Sequence, residues 1–66
     1  MKCLRELRRE RKLTQRELGE KIGISMSSIA MYETGDRIPS LKKAKKIAKF
    51  FQIPLEEISF GESVNN

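Results

Sequence analysis

The chain has 66 residues, of which 38% are hydrophobic and 35% are charged, and its formal net charge is +5. This length suits a single domain, and the composition is too apolar for a disordered tail and too charged for a membrane protein. No apolar run reaches the roughly 20 residues of a membrane-spanning helix, and the N-terminus lacks the apolar stretch of a signal peptide. We therefore expect a cytoplasmic protein.

The residue types also exclude several kinds of chemistry. Histidine is absent and Cys3 is the single cysteine. One chain therefore cannot form an internal disulfide, a zinc site of Cys and His ligands, or a Cys–His or Ser–His nucleophile pair. We expect no enzyme activity, no metal and no cofactor, and we interpret Cys3 as a half-buried small residue near a helix start.

The charge is distributed unevenly along the chain. Residues 1–49 contain all 14 Lys and Arg against six acidic residues, a net charge of +8. Residues 50–66 contain Glu56, Glu57 and Glu62 and no basic residue. A surface with such an excess of positive charge suits a polyanion. Taken alone, the pattern fits a merely solvated basic surface equally well.

The first predicted helix covers residues 2–12. Leu4 and Leu7 share one face, and the other positions hold mainly Arg, Lys and Glu, which favour helix. Leu13 is expected to close the turn that follows.

The second predicted helix covers residues 15–22. Thr14 and Glu17 have the spacing of a capping box, in which each residue bonds the backbone of the other. Gly19 is a small residue that would allow another helix to approach closely. The predicted inner residues are Leu18 and Ile22.

The third predicted helix covers residues 26–34 and follows a glycine-containing turn. Gly23 can adopt the left-handed backbone that ends the second helix, and Ser25 can cap the third. Gly35 and Asp36 are expected to end it. The predicted inner residues are Ile29 and Tyr32.

Two more helices are predicted, over residues 41–51 after a Ser40 cap and over 54–60 beginning at Pro54. The fourth helix has the apolar stripe Leu41, Ala44, Ile47, Ala48 and Phe51, and the lysines Lys42, Lys43, Lys45, Lys46 and Lys49 on its other face. The inner residues of the fifth are Leu55 and Ile58. Because no segment shows strand-like alternation, we expect an all-α domain of five helices over residues 1–61 and a polar, fraying tail over 62–66.

The most informative feature is the turn Gly23-Ile24-Ser25 between the second and third helices. Two short helices joined by a three- or four-residue turn with glycine are typical of a helix-turn-helix. In this motif the second helix enters the DNA major groove and the first lies across the backbone.

Over residues 4–60 the sequence resembles the lambda- and 434-repressor/Cro-type helix-turn-helix family, also called the Xre family. The matching residues are Leu13-Thr14-Gln15, Glu17-Leu18, Ile22-Gly23-Ile24-Ser25, Ser28-Ile29, Tyr32-Glu33, Gly35, Pro39-Ser40-Leu41, Ile47-Ala48, Phe51, Pro54-Leu55 and Ile58. The resemblance implies a compact five-helix domain that binds operator DNA as a transcriptional regulator, in most cases a repressor.

The resemblance also implies roles for individual residues. The base-facing positions would be Met26, Ser27, Ala30 and Met31. The phosphate-binding or positioning residues would be Thr14, Gln15, Ser25, Ser28, Thr34, Arg37 and Lys43. Arg8 and Glu33 match positions that form an ion pair between the first and third helices, which we interpret as mainly structural.

The sequence departs from the best-known members at the base-reading positions, where they carry Gln, Asn, Arg or Lys. Without these side chains the paired hydrogen bonds to adenine or guanine are not available. Contacts with thymine methyl groups and short hydrogen bonds from serine remain. We therefore expect DNA shape and phosphate contacts to contribute more than direct readout. In an alternative interpretation, Met26 or Met31 belongs to the core.

The resemblance further implies a homodimer through the fifth helix that reads half-sites roughly 34 Å apart. Phe50, Ile53, Leu55, Ile58, Phe60 and Val64 are many apolar residues for one end of a small domain. Some of them should form an exposed patch, and the expected dimer contacts are Ile53, Leu55, Ile58 and Phe60. The alternative is that these residues only complete the monomer core.

A second function class stays open. The weakly polar third helix would also suit a protein-interaction module that has kept the fold, with an antitoxin-like or antirepressor partner. Salt-dependent binding to a palindromic duplex would favour the regulator, whereas a stable protein complex without DNA affinity would favour the module.

Overall fold

Four α-helices make up most of the computed structural model of the chain, which describes residues 1–61. They are α1 (Leu4–Glu10), α2 (Gln15–Ile22), α3 (Met26–Thr34) and α4 (Leu41–Phe51). A single 3₁₀ turn, Leu55–Glu57, follows α4. Two short strands, β1 (Lys2–Cys3) and β2 (Ile58–Ser59), pair in parallel.

Side-chain caps fix the starts of α2, α3 and α4 as the sequence predicts. At α2, Thr14 Oγ1 accepts from the amide of Glu17 at 3.0 Å, and Glu17 Oε1 accepts from the amide of Thr14 at 2.8 Å. Ser25 and Ser40 cap α3 and α4 by accepting from the amides three residues later. The predicted bounds of these three helices are confirmed.

The first helix is shorter than predicted. Lys2 and Cys3 are extended instead of helical, and the Glu6 carboxylate accepts from the amide of Cys3 at 3.0 Å, which fixes the helix start. Lys12, with φ at 57°, adopts the left-handed backbone that ends the first helical segment. The helix therefore spans Leu4–Glu10 and not 2–12.

The prediction of a fifth helix over 54–60 is wrong. After one 3₁₀ turn the backbone extends, and Ile58 and Ser59 pair with Lys2 and Cys3. The strand pair satisfies backbone groups that a longer helix would have bonded internally. It also corrects the expectation that the chain has no strand, although the described residues remain mainly helical. The expected tail over 62–66 lies outside the described residues.

The core draws on all four helices, on the turn between α2 and α3 and on β2. The most deeply buried residues are Leu4, Leu18, Ile29 and Ile47, joined by Leu7, Ile22, Ile24, Tyr32, Ala44, Ala48, Phe51 and Ile58. Leu41 was expected in this stripe but is 63% exposed. It is the first residue of α4, where the neighbouring Pro39 is buried instead. No helix in residues 1–61 has the length and apolarity to cross a membrane.

Candidate nucleic-acid interface

Helices α2 and α3 meet through a turn with little free space. Gly23 ends α2 with φ at 72°, and the amide of Ile24 donates to the carbonyl oxygen of Gly19 at 3.0 Å. A Cβ at Gly19 would overlap the carbonyl oxygen of Ile24 and lie 3.5 Å from the amide nitrogen of Met26. Gly19 thus admits the backbone of the turn and the start of α3, in line with the expected close approach of another helix. This close approach fixes the position of α3 relative to α2.

A buried carboxylate joins three helices. Glu33 of α3 is 3% exposed, and its oxygens accept from Arg8 Nε at 2.6 Å and Arg8 Nη2 at 3.1 Å. Gln15 Nε2 of α2 donates to the same carboxylate at 3.1 Å, and Arg5 Nε of α1 donates at 3.4 Å. We call these four residues the Glu33 cluster. It holds α3 against α1 and the start of α2.

The Glu33 cluster favours the charged form of its carboxylate. Burial alone would raise the pKa of Glu33, but hydrogen bonds from Arg8 and Gln15 and the Arg8 charge outweigh burial and hold the pKa below its usual value. The hydrogen bond to Glu33 also raises the pKa of Arg8 against the opposing effect of burial. The ion pair therefore stays intact at neutral pH.

Sequence reasoning missed one residue of the Glu33 cluster, Arg5. A second residue, Gln15, contacts another residue of the protein. Arg5 lies three residues before Arg8 and so on the same face of α1, and this spacing could have indicated its contact with Glu33. Gln15, assigned to phosphate binding or positioning, uses its amide group on Glu33. Arg8 makes a further bond, from Nη1 to the carbonyl oxygen of Leu13 at 2.8 Å.

The expected base-facing residues lie together on α3. Ser27 is exposed and Ala30 is half-buried, while Met26 and Met31 are 46% and 39% exposed. The buried residues Ile29, Tyr32 and Glu33 lie on the side opposite Ser27 and Met31. Neither methionine is therefore part of the core.

The residues expected to contact phosphates differ in their exposure and in their hydrogen bonds within the protein. The hydroxyls of Ser25 and Ser28 bond each other at 3.0 Å within the α3 cap. The Thr34 hydroxyl lies 3.0 Å from Asp36 Oδ2, and this carboxylate would repel a phosphate close to Thr34. Arg37 and Lys43 are exposed and form no ion pair within residues 1–61, so their charges face solvent.

The expected dimer residues do not form an exposed patch. Ile58 is 6% exposed and belongs to the core, so little of its side chain is on the surface. Ile53, Leu55 and Phe60 are half-buried, and the Phe60 ring packs edge-on against Tyr32 at 6.4 Å. The large apolar residues exposed in the described chain are Met1, Met26, Met31, Ile38 and Leu41.

The site offers no obvious place for a metal. Cys3 is a free, half-buried cysteine. Within residues 1–61 no three His, Cys, Asp or Glu residues come together as a metal-binding group. The available chemistry is that of charge, hydroxyl groups and apolar surface.

Comparison with known proteins identifies relatives along nearly the whole chain. The transcriptional repressor RstR of a cryptic phage in Vibrio cholerae is 36% identical over 62 residues, which are 94% of this chain and 56% of the repressor. The transcriptional activator BcrR of Enterococcus faecalis is 34% identical over 92% of this chain and 30% of its own length. The transcriptional regulator YgzD of Bacillus subtilis is 37% identical over 94% of both chains.

The chain thus spans about half of the Vibrio repressor and less than a third of the Enterococcus activator. No solved structure matches it. The family model described as helix-turn-helix matches residues 4–58, from the start of α1 to the first residue of β2. The chain belongs to the Cro/C1-type helix-turn-helix family, a family of DNA-binding transcriptional regulators and not of enzymes.

Proposed function

We propose that the chain binds a palindromic operator as a homodimer, with α3 in the major groove, and that it regulates transcription as a repressor. The outward face of α3 carries this proposal. Its exposed residues are concentrated on the side opposite Ile29, Tyr32 and Glu33, and the Glu33 cluster fixes the helix from behind. A rigid helix with one open side is what reading a groove requires.

Phosphate contacts would hold the helix in the groove. Arg37, in the connector after α3, and Lys43, in the first turn of α4, present charges that no carboxylate in residues 1–61 neutralises. Each such contact releases counterions, so binding should weaken as salt is added. Gln15 would brace α3 through Glu33 and donate its second side-chain N–H to a phosphate of the DNA.

Asp36 should oppose DNA binding, because its carboxylate lies beside Thr34 at an expected phosphate position. Asp36→Asn removes this charge and keeps the shape of the side chain. We expect the variant to bind duplex DNA several-fold more tightly at low salt, with a smaller gain at high salt. Equal affinity of the two proteins at low salt would mean that Asp36 lies away from the phosphates.

A homodimer is proposed because one small module makes few contacts with DNA. Ile53, Leu55 and Phe60 are only half-buried, so part of their apolar surface is available to a second copy. Sedimentation of the protein with and without a palindromic duplex tests this part. A single copy on the duplex at saturation would contradict it.

Repression is the simpler consequence of operator binding. Occupying a promoter is enough to block transcription, whereas activation needs an additional surface that contacts the polymerase. One relative is named a repressor and another an activator. A reporter gene behind the selected operator distinguishes the two outcomes by the sign of the change.

The main experiment selects duplexes from a random library and measures the best binder at several salt concentrations. We expect a palindrome with half-sites about one helical turn, roughly 34 Å, apart. Lys43→Ala should weaken binding and reduce the slope of log affinity against log salt by about one. Lys49→Ala is the matched control, because it removes the same charge from the last turn of α4.

Two results would contradict the proposal. Sequence-independent binding that disappears with salt would mean that the basic surface alone is responsible. Equal losses from Lys43→Ala and Lys49→Ala would mean that no particular end of α4 meets the DNA. A stable complex with a protein partner would then favour the alternative function, that of a protein-interaction module.

A further inference from the structure

The outward face of α3 can be defined from its buried residues. At 3.6 residues per turn, Ser27, Met31 and Thr34 lie opposite Ile29 and share one side of the helix, and Ala30 lies at the edge of that side. Met26 lies nearer to the buried side, almost in line with Glu33, but it is in the first turn of the helix, where it is 46% exposed. These positions form the surface that an occupied groove would meet, and we call it the α3 outer face.

Most hydrogen-bonding groups near the α3 outer face are already engaged. Ser25 and Ser28 bond each other within the cap. The Thr34 hydroxyl contacts the Met31 carbonyl oxygen and the Asp36 carboxylate. Among the described residues of α3, Ser27 retains an exposed hydroxyl with no bonding partner. One hydroxyl cannot form the paired bonds that distinguish guanine or adenine.

The rest of the α3 outer face is apolar. Met31 is 39% exposed, Met26 is 46% exposed, and Ala30 between them is half-buried. Each methionine thus keeps a large exposed fraction in the described chain. In the major groove the one apolar group on a standard base is the C5-methyl of thymine. Unbranched methionine side chains adapt well to such small apolar groups.

We propose that Met26 and Met31 read thymine C5-methyl groups, so that the positions of thymines in the operator half-site carry its direct readout. This inference rests on the proposed function, since it requires α3 to lie in the major groove. The ligand chemistry is the methyl group itself. A 5-methylcytosine at the same position presents an equivalent methyl and should be partly accepted. Ser27 supplies at most one hydrogen bond to a neighbouring base edge.

The test uses the duplex selected for binding and replaces single thymines by deoxyuridine, which removes the methyl group and leaves base pairing unchanged. Burying one methyl is worth about a fourfold change in affinity, so each contacted position should weaken binding by about that factor. Replacing a contacted T·A pair by 5-methylcytosine·G should weaken binding less than replacing it by C·G. Deoxyuridine outside the half-sites should have no effect.

Protein variants assign the contacts. Met31→Ala should lose affinity for the thymine duplex and become insensitive to deoxyuridine at the position that it reads. Leu41→Ala is the control, because it shortens an exposed apolar side chain outside α3 and should leave the deoxyuridine response unchanged. Both positions are exposed, so both variants should fold, and their circular dichroism spectra check this.

The outcomes separate the two proposals. If no duplex is selected, the proposed function fails before thymine is tested. If a duplex is selected but deoxyuridine is tolerated at every position, operator binding stands and the thymine inference is overturned. The inference also fails if Met26→Ala and Met31→Ala each keep the full deoxyuridine response.

Discussion

Two ion pairs in the chain have the same shortest nitrogen–oxygen distance and differ in burial. Lys2 Nζ lies 2.6 Å from Glu10 Oε2, and Arg8 Nε lies 2.6 Å from Glu33 Oε2. The side chains of the first pair are each 53% exposed, whereas those of Arg8 and Glu33 are 11% and 0% exposed. Comparing variants of both pairs therefore separates the effect of burial from that of distance.

The informative change is Glu33→Gln, which keeps the size of the side chain and removes its charge. The Arg8 guanidinium then stays nearly buried without a carboxylate, and such a loss costs roughly 3–5 kcal/mol. A domain of this length has a free energy of unfolding of about 3–10 kcal/mol. We therefore expect the variant to melt at least about 12 °C below the wild type, or to be unfolded.

Urea unfolding followed by circular dichroism measures these differences. The double change Arg8→Met with Glu33→Met should cost less than Glu33→Gln alone, because it removes both buried charges of the Arg8–Glu33 pair. Lys2→Ala is the exposed control and should leave the midpoint unchanged within error. A loss for Glu33→Gln no larger than that for Lys2→Ala would refute the reasoning from burial.

Three further predictions concern stability. Folding lowers the pKa of Glu33, so the stabilisation that Glu33 contributes is complete above the unfolded-state pKa of about 4.3 and is lost as the pH falls below that value. Urea midpoints measured from neutral to acidic pH should therefore decline less for the Arg8→Met, Glu33→Met double variant than for the wild type. Gln52 ends α4 with φ at 59°, a conformation that costs a non-glycine residue about 1 kcal/mol. Gln52→Gly should raise the free energy of unfolding by up to that amount in a urea titration, and an equal gain from Gln52→Ala would argue against backbone strain. Gly19→Ala places a Cβ against the carbonyl oxygen of Ile24 and should lower the free energy of unfolding by about 1–3 kcal/mol; an unchanged thermal midpoint would show that the turn can adjust.

The parts of the fold that depend on local signals could be predicted from the sequence. Thr14, Ser25 and Ser40 cap their helices by accepting hydrogen bonds from the amides of residues three positions ahead. The local sequence pattern therefore predicts the same hydrogen bonds that the structure shows. Gly23 ends α2 because of its own backbone freedom. The apolar spacing of Leu18 and Ile22 places both in the core.

The parts that depend on distant contacts could not be predicted. The strand pair joins Lys2–Cys3 to Ile58–Ser59, and a two-residue strand is too short for a period-two pattern. Whether Leu41 is exposed depends on which elements pack over the start of α4, and helical spacing alone does not reveal that. At the candidate site, the engagement of the Thr34 hydroxyl by Asp36 depends on the path of the connector after α3.

The pairing of β1 with β2 has a consequence for how the chain is completed during synthesis. Contacts among α1, α2 and α3 join residues close in sequence and can form while translation continues. Lys2 emerges from the ribosome before α1, but its partner Ile58 emerges only after α4. During synthesis β1 is therefore unpaired while α1, α2 and α3 are already able to fold. We expect the strand pair to gain protection from hydrogen exchange after the amides of α1, α2 and α3.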